Sequence, residues 1–359
     1  MKTGKISESI LKRSVIGKIK DHREETKCTE TGGELLKSLP CSIEKGAGVG
    51  EDCAFLAWEN TCFAEEEKKE KTLVAVSTQT VALPVRKGVY LAVMAAANNL
   101  AASGARVSAI TLSLTIPKEM EEDGLKELMA QAEECCRELK AQIIGGHTEV
   151  SANVRAPVIT ATAIGTSVGK RCRYEERKNT EEFKQLDIVI SKWIGLEGTT
   201  VIVQEKEEEL LKRFSSRFLV MAKEQERYLS VAGEAAIALK SNVYAMHDVR
   251  NGGIFGALWE LSQKLGVGLS INLKKIPVRQ ETIEICEFFN LSPYELLSGG
   301  ALIMATEDGS KLVRELEAAK VPAALIGYTD KSNDKIVTSG EEIRYLGPPG
   351  PDEIHKLIF

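Results

Sequence analysis

The stretch from 142 to 165, QIIGGHTEVSANVRAPVITATAIG, places two glycines and a polar triplet between two β-like runs. The five residues are Gly145, Gly146, His147, Thr148 and Glu149. A plain turn needs only one or two glycines, because glycine adopts positive φ without steric cost. Taken alone the stretch predicts a turn; taken with similar junctions elsewhere in the chain, it predicts part of a ligand site.

On either side of this stretch, the first half alternates strands and helices. Two apolar runs joined by a charged tip predict a hairpin. An alanine-rich run predicts a helix that packs closely on a sheet. The predicted elements are an amphipathic helix at 8–20, strands at 53–58 and 72–78, a helix at 88–105, a strand at 109–117 and a helix at 119–140.

A polar, charged stretch at 167–186 separates the two halves of the chain. We interpret it as the connection between two domains. Strands and helices alternate in the second half too, which predicts an α/β or α+β fold in covered layers. A chain of 359 residues exceeds the usual limit of a single core. We therefore expect domains at 1–168 and 169–359.

Composition narrows the classes of function. The net charge of −5 disfavours nucleic acid as a partner, and no apolar run is long enough for a membrane-spanning helix. The first 25 residues lack the apolar core of a secretory signal, so we expect a cytoplasmic protein. Eight cysteines without paired Cys-x-x-Cys spacing are interpreted as reduced, packed thiols.

Five junctions combine small residues with acids, amides or histidine. They are GAGVGED at 46–52, STQT at 77–80, NNLAASGA at 98–105, GGHTEV at 145–150 and MHDVRNGG at 246–253. Two of the four histidines, His147 and His247, lie in them. Each junction alone is a weak signal, but their common order along the chain is more specific.

In that order the junctions resemble the superfamily of phosphoribosylaminoimidazole (AIR) synthase. This superfamily also includes the hydrogenase-maturation carbamoyl dehydratase, thiamine-monophosphate kinase and selenophosphate synthetase. The resemblance extends over about residues 5–350. It is closest to AIR synthase-related and hydrogenase-maturation-like proteins, through GGHTEV, KWIGLEGT, MHDV, ALWELS and KIPV.

The resemblance implies a homodimer whose amino-terminal domains share a β-barrel, each beside a carboxy-terminal α/β domain. It also implies ATP in a cleft of the amino-terminal half, with acids holding Mg²⁺ against the phosphates. The implied chemistry is phosphorylation of an amide or acid oxygen of a small molecule, by an ATP-dependent synthase, ligase or phosphotransferase.

Carried onto this sequence, the resemblance implies a set of ATP- or phosphate-binding residues. They are Gly50, Glu51, Asp52, Thr78, Gln79, Asn98, Asn99, Gly145, Gly146, His147, Thr148, His247, Asp248, Gly252 and Gly253. The family has carboxylates at the positions of Gln79, Asn99 and His147. We therefore expect at most one Mg²⁺, held by Asp52 and Glu149, since one or two carboxylates plus phosphates commonly suffice.

Several alternatives remain open. The lost carboxylates are compatible with an inactive nucleotide-binding or scaffold homodimer. A zinc hydrolase site formed by His147, Glu149 and His247 is a third interpretation, although the histidines are far apart in sequence and no helix carries a His-x-x-x-His pair. Arg250 is expected either at a phosphate or in a surface ion pair, and Gly252 and Gly253 are expected to face an anion at a helix start.

A final expectation concerns the related carbamoyl dehydratase, which works on a cysteine at its own carboxy terminus. This sequence ends GPPGPDEIHKLIF, and its last cysteine is Cys286. We therefore expect no self-dehydration of that kind.

Overall fold

The first half of the chain forms a six-stranded sheet. The computed structural model describes residues 6–19, 41–59, 71–167, 172, 174 and 184–357. The strands are β1 (Cys41–Lys45), β2 (Ala54–Glu59), β3 (Lys71–Val81), β4 (Arg106–Pro117), β5 (Gln142–Ser151) and β6 (Val158–Ser167). Their order is β1-β2-β3-β6-β4-β5, and only β4 and β5 run parallel.

Two helices cover one face of this sheet, α1 (Gly88–Ala102) and α2 (Glu122–Leu139). Every residue of α1 is buried, and its many alanines allow the close approach that the sequence predicts. α2 is amphipathic and turns a stripe that includes Leu128, Ala132 and Cys135 inward. The apolar stripe therefore anchors α2 on this layer.

The opposite face of the sheet is only partly buried. Along β6, buried residues alternate with half-buried ones, as expected when a strand has one face on the core. On this outer face the hydroxyls of Thr78 and Thr162 lie 2.9 Å apart, as do those of Thr80 and Thr160. The threonines pair across the strands and leave a polar, β-branched surface.

The glycine pair of the opening stretch lies inside β5 and not in a turn. Ile143 pairs with Ile110 and Gly145 with Thr111, so Ile144 is an extra residue in a β-bulge. A Cβ added at Gly146 would lie 1.9 Å from the carbonyl oxygen of Leu112. The turn prediction is wrong here, because Gly146 serves the close approach of β4 to an edge strand.

The second half forms a seven-stranded sheet in the order β13-β12-β9-β11-β7-β10-β8. Neighbouring strands in this sheet run antiparallel, except for β9 and β12, which run parallel. The strands are β7 (Asp187–Ser191), β8 (Ala245–Val249), β9 (Gly268–Asn272), β10 (Ala301–Thr306), β11 (Ala323–Asp330), β12 (Lys335–Ser339) and β13 (Glu342–Tyr345).

The second half also contains helices. They are α3 (Leu196–Glu205), α4 (Glu207–Leu210), α5 (Ser216–Lys223), α6 (Ala232–Lys240), α7 (Gly253–Leu265), α8 (Gln280–Phe288) and α9 (Gly309–Ala318). The two-domain α/β architecture agrees with the sequence-based expectation. The connection predicted at 167–186 lies mostly outside the described residues, so the bounds 1–168 and 169–359 remain a prediction.

Some strands were not predicted from the sequence, and one helix was predicted to be longer and more regular than it is. The helix expected at 8–20 is a series of short helical turns, Glu8–Ile10, Leu11–Val15 and Ile16–Lys18, with residue 20 outside the described part. The short strands β1, β12 and β13 were not predicted. The described cysteines, Cys53, Cys135, Cys136, Cys172 and Cys286, are buried and unpaired by disulfides, as predicted.

The two halves meet along α1, which contacts both α6 and β8. The side-chain amide of Asn98 donates to the carbonyl of Leu229, 2.8 Å away, and accepts from the N–H of Val231, 3.0 Å away. Asn98 therefore fixes the contact between the halves from a buried position. The ends of β3 and β8 then lie on either side of a cleft.

Candidate functional site

The cleft contains a cavity of about 240 Å³ to which both halves contribute. The first half supplies the Gly48–Asp52 loop, Gln79 and Asn99. The second half supplies His247 and Asp248 at the end of β8, the loop that follows, and Glu260 on α7. Four of the five junctions from the sequence thus converge on one cavity, although they are separated by up to about 200 residues.

The loop before β2 depends on glycine to reach this position. Gly50 has φ +75°, and a Cβ there would lie 2.5 Å from the carbonyl oxygen of Glu260. A side chain would therefore clash with α7. Asp52 follows at once, and the Ser77 hydroxyl donates to its carbonyl at 2.9 Å, which ties the loop to β3.

His247 is the centre of a buried ion-pair network. Its Nδ1 lies 2.7 Å from Oδ1 of Asp52 as an ion pair that is poorly aligned for a hydrogen bond. Its Nε2 lies 3.1 Å from Oε2 of Glu260. Burial alone would lower the pKa of His247, but the two carboxylates outweigh it and raise the pKa to about 9. The imidazolium therefore links the two halves.

Lys264, one turn beyond Glu260 on α7, adds a second buried cation. Its ammonium lies 3.4 Å from Oε2 of Glu51 and 3.9 Å from Oδ2 of Asp52. Lys45 also pairs with Glu51. Glu51 thus faces Lys45 and Lys264, and Asp52 faces His247 and Lys264, so the negative charges of both acids are largely compensated.

Asp248 is different, because both of its carboxylate oxygens are buried without a hydrogen-bond partner among the described residues. Asp248 is one of the residues that line the cavity. Burial, followed by the negative charge of Asp52, raises the pKa of Asp248 to about 7, against the influence of His247 and Arg250. Oδ2 of Asp52 also lacks a hydrogen-bond partner within the described residues. Unpaired buried carboxylates are costly and usually mark a ligand site.

Arg250 is buried and forms two hydrogen bonds to Glu197 of α3, at 2.8 and 3.0 Å. Burial lowers the pKa of Arg250, but Glu197 outweighs it and raises the pKa. Gly299 makes room for this pair, since a Cβ there would lie 2.2 Å from Oε2 of Glu197. Of the two roles expected for Arg250, the structure supports an ion pair, but a buried one.

A second cavity of about 500 Å³ adjoins the first and shares Gln79, Arg250 and Asn251 with it. One wall is apolar and comes from the segment after β3 together with α1, α3 and Leu297. The other wall carries Asp352 and His355. The two cavities therefore form one continuous cleft. The first cavity is lined mainly by charged and polar residues, and the second by both apolar and ionisable residues.

Within one chain, the residues Gly145–Glu149 lie away from this cleft. β5 is an edge strand, four strand positions from β2, on the order of 20 Å along the sheet. Glu149 contacts His147, 3.7 Å away, and both side chains are exposed. The expected pairing of Asp52 and Glu149 around one Mg²⁺ is not formed in the single chain.

Other predicted residues have structural roles. Thr78 points to the outer face of the sheet, and Asn98 joins the two halves. The N–H of Gly252 at the start of α7 donates to Oδ2 of Asp352, 2.7 Å away. Gly253, with φ +60°, passes close to the carbonyl of Tyr294. The anion expected at this helix start is thus a carboxylate of the chain itself.

Sequence reasoning missed four charged residues of the cleft, Glu197, Glu260, Lys264 and Asp352. A signal existed for two of them, since Ala257, Glu260 and Lys264 recur at helical spacing along one face of α7. The weak zinc reading fails in the single chain because His147 is exposed while His247 is buried between Asp52 and Glu260. Among the described residues, no group of three or more potential ligands could hold a metal by itself.

The fold and site define a two-domain α/β protein with an acid-rich cleft between its halves. Residues 50–167 match the family described as AIR synthase related protein, N-terminal domain, and residues 187–340 match the corresponding C-terminal domain. The chain therefore belongs to the AIR synthase-related family.

Relatives by sequence point to hydrogenase maturation. A Methanocaldococcus jannaschii protein named for hydrogenase expression and formation is 30% identical over 253 residues, which cover 69% of this chain and 71% of that protein. The carbamoyl dehydratase HypE of Rhodobacter capsulatus is 24% identical over 239 residues, 66% of this chain and 64% of that protein.

Solved structures share the fold. The HypE–HypF complex aligns with a TM-score of 0.64 at 19% identity, over 92% of this chain and 100% of the other. HypE in complex with ATP aligns with a TM-score of 0.62 at 19% identity, over 82% and 90%. Among the residues described here, no helix has both the length and the apolar character needed to cross a bilayer.

Proposed function

We propose that this protein binds ATP with one Mg²⁺ in the cleft and transfers the γ-phosphoryl group to an amide or acid oxygen of a small molecule. The observation that carries the proposal is Asp248, a residue that lines the cavity and whose buried carboxylate has no hydrogen-bond partner for either oxygen within the described residues. Keeping such a group near a second acid is destabilising unless a cation binds there.

The donor set fits Mg²⁺. Mg²⁺ prefers oxygen ligands and is commonly held by one or two carboxylates together with substrate phosphates and water. Asp248 and Asp52 supply two carboxylates from residues that line one cavity, and Oδ2 of Asp52 has no hydrogen-bond partner among the described residues. The expectation of a single ion is retained, with Asp248 in place of Glu149 as the second ligand within the chain.

The remaining residues of the cleft would position the metal-binding acids and compensate their charge. When bound, Mg²⁺ would draw charge from the phosphates of ATP. His247 and Lys264 form ion pairs with Asp52 and Glu51, and Glu260 fixes the imidazole ring. Gln79 and Asn99 offer neutral hydrogen-bonding groups at the cavity wall. HypE in complex with ATP supports the nucleotide, and the relatives named for hydrogenase formation support an active family member.

Calorimetric titration with the ATP analogue AMP-PCP, in Mg²⁺ and in EDTA, tests the proposal. We expect micromolar binding in Mg²⁺ and at least tenfold weaker binding in EDTA. Asp248→Asn should remove the Mg²⁺ dependence, whereas the matched control Asp123→Asn, on the exposed surface of α2, should bind as the wild type does. Equal affinity in Mg²⁺ and EDTA would support a metal-free nucleotide-binding scaffold, and absence of binding would reject the ATP site.

We also propose a homodimer formed through the first sheet. Ile144 and Val150 on the edge strand β5 are 59% and 65% exposed, and the outward-facing residues of β6 are only half-buried. An exposed edge strand with apolar residues readily pairs with another chain. Light scattering should give twice the chain mass for the wild type and the monomer mass for Val150→Lys. A monomeric wild type would refute the dimer.

A further inference from the structure

A third cavity, of about 430 Å³, lies in the second half of the chain beside the start of α7. It shares no lining residue with the two cavities of the cleft, so the proposed nucleotide and metal site does not use it. Its walls come from α7, the turn at 292–295, β13 and the segment 346–351. A volume of this size accommodates a small organic molecule.

Aromatic residues form one part of the lining. The rings of Phe255 on α7 and Tyr294 stack on each other, with centroids 5.3 Å apart and planes 10° apart. Both residues are only partly buried, and Tyr345 of β13, which also lines the cavity, is 67% exposed. Partly exposed rings at a cavity favour a ligand with a flat ring, because aromatic pairs gain from stacked or edge-to-face contact beyond the area that they bury.

The segment 346–351 forms a second, preformed part of the lining. It contains Pro348, Pro349 and Pro351, whose rings restrict the backbone. At one end the N–H of Leu346 donates to the carbonyl of Lys335, 2.8 Å away. Just beyond the other end, Asp352 accepts from the N–H groups of Gly252 and Leu297, at 2.7 and 3.1 Å. A wall that is already ordered costs little conformational entropy when a ligand binds.

One base and one acid, Arg344 and Glu295, are the charged residues of this lining within the described part of the chain. Both are exposed. Arg344 pairs at 3.1 Å with Glu342 on the surface, and such an exposed pair is weak enough to be exchanged for a ligand carboxylate. The lining therefore offers a cation and an anion to one small molecule, which favours a zwitterion.

The segments that line the third cavity continue into the cleft. Gly252 lines the third cavity, and the preceding residue, Asn251, lines both cavities of the cleft. Pro351 lines the third cavity, and the next residue, Asp352, lines the second. Oδ2 of Asp352 accepts from the N–H of Gly252, so the two segments are joined. A ligand in the third cavity would contact both of them.

We infer that the third cavity binds an aromatic α-amino acid and that its occupancy strengthens nucleotide binding in the cleft. The ring packs with Phe255 and Tyr294, the carboxylate pairs with Arg344 and the ammonium group with Glu295. A ligand held in this way joins β13 to the turn at 292–295 and restrains the segments that border the cleft. The effect on the nucleotide rests on the proposed ATP site, and by linkage it is reciprocal.

Calorimetric titration without nucleotide tests the cavity directly. The probes are L-phenylalanine, 3-phenylpropionate, which lacks the ammonium group, 2-phenylethylamine, which lacks the carboxylate, and L-leucine, which lacks the ring. We expect L-phenylalanine to bind once per chain and the other three to bind about tenfold more weakly or less, since each loses one charge-assisted or aromatic contact. No binding of L-phenylalanine, or equal binding of any analogue, would overturn the assignment.

Substitutions assign each charge to its residue. In Arg344→Gln, L-phenylalanine and 2-phenylethylamine should bind equally, because the carboxylate has lost its partner. In Glu295→Gln, L-phenylalanine and 3-phenylpropionate should bind equally. Both residues are exposed, so the fold should be retained, and Arg314→Gln, at an exposed arginine of α9, is the matched control. Wild-type discrimination in either cavity variant would overturn the assigned contact.

Titration of AMP-PCP in Mg²⁺, with and without saturating L-phenylalanine, tests the effect on the cleft. We expect about fivefold tighter binding or more in the wild type, the lower range of measured coupling between sites, and no increase in Tyr294→Leu. Equal AMP-PCP affinity in both conditions would overturn the coupling. If AMP-PCP does not bind at all, the ATP site and the coupling both fail, while the direct titration still decides the cavity. If AMP-PCP binds and L-phenylalanine does not, only the third-cavity inference fails.

Discussion

The cleft and the edge strand β5 each pair a histidine with a carboxylate, with opposite consequences. His247 lies buried between Asp52 and Glu260, whereas His147 and Glu149 are 71% and 56% exposed at 3.7 Å. Water and salt screen the exposed pair, so it contributes little. In the buried network each charge depends on its partners, because solvent cannot replace them. Environment, and not residue type, separates a site from a surface pair.

Replacement of the two histidines should give the largest contrast. His247→Ala leaves Asp52 and Glu260 buried without the cation between them, and we expect a loss of about 3–5 kcal/mol in the free energy of unfolding. His147→Ala should change it by less than about 0.5 kcal/mol. Urea denaturation of both variants measures the difference. Similar losses for the two would contradict the comparison.

The glycines of the two regions offer a second contrast. Gly50→Ala forces a side chain into positive φ and against the Glu260 carbonyl, with an expected cost of about 1–3 kcal/mol and weaker AMP-PCP binding. At Gly145 an added Cβ would meet no atom within 4 Å. Gly145→Ala should therefore leave both thermal stability and binding nearly unchanged. Calorimetry of the two variants would show whether the close approach of the Gly50 loop to α7 is required.

A third prediction concerns the pH dependence of stability that arises from Asp352, a buried acid at the cleft. Burial raises the pKa of Asp352 to about 7, although three backbone N–H groups oppose it. Between pH 4 and pH 7 the folded protein therefore retains a proton that the unfolded chain has lost. Its contribution to stability is full below about pH 4 and is lost as pH rises through about 7.

Urea denaturation across this pH range, for the wild type and Asp352→Asn, checks the sign. We expect the stability of the wild type relative to Asp352→Asn to fall by on the order of 1 kcal/mol or more, since each pKa unit is worth about 1.4 kcal/mol. The difference should then remain constant above pH 7. Parallel pH profiles of the two proteins would show that Asp352 does not titrate differently on folding.

The smallest expected effect belongs to the exposed pair. A double-mutant cycle on His147→Gln and Glu149→Gln should give a coupling energy below about 1 kcal/mol in the unfolding free energy. AMP-PCP binding by the monomeric variant Val150→Lys should not depend on Glu149. A strong dependence on Glu149 in that monomer would restore it as a metal ligand within the chain.

The sequence by itself determined the two-domain α/β class and most long elements, because the periodicity of α2 and the alternation along β6 are local patterns. It also indicated Asp52, Gln79, Asn99 and the end of β8 as site residues, since small residues beside polar ones are typical of places where the backbone closely approaches another element or a ligand. Short strands such as β1 and β13 were not predicted, because four or five residues are too few to show a clear alternation of apolar and polar residues.

Only the tertiary structure decided which junctions share a cavity. Strand order put GGHTEV at a sheet edge and MHDV beside Asp52, and neither position follows from the spacing of residues along the chain. Partners distant in sequence, such as Arg250 and Glu197, or Asp352 and Gly252, became visible only when burial removed water as the alternative partner. The free carboxylate of Asp248 is likewise a property of its surroundings, because a lone polar residue acquires its chemistry from what the fold leaves unpaired.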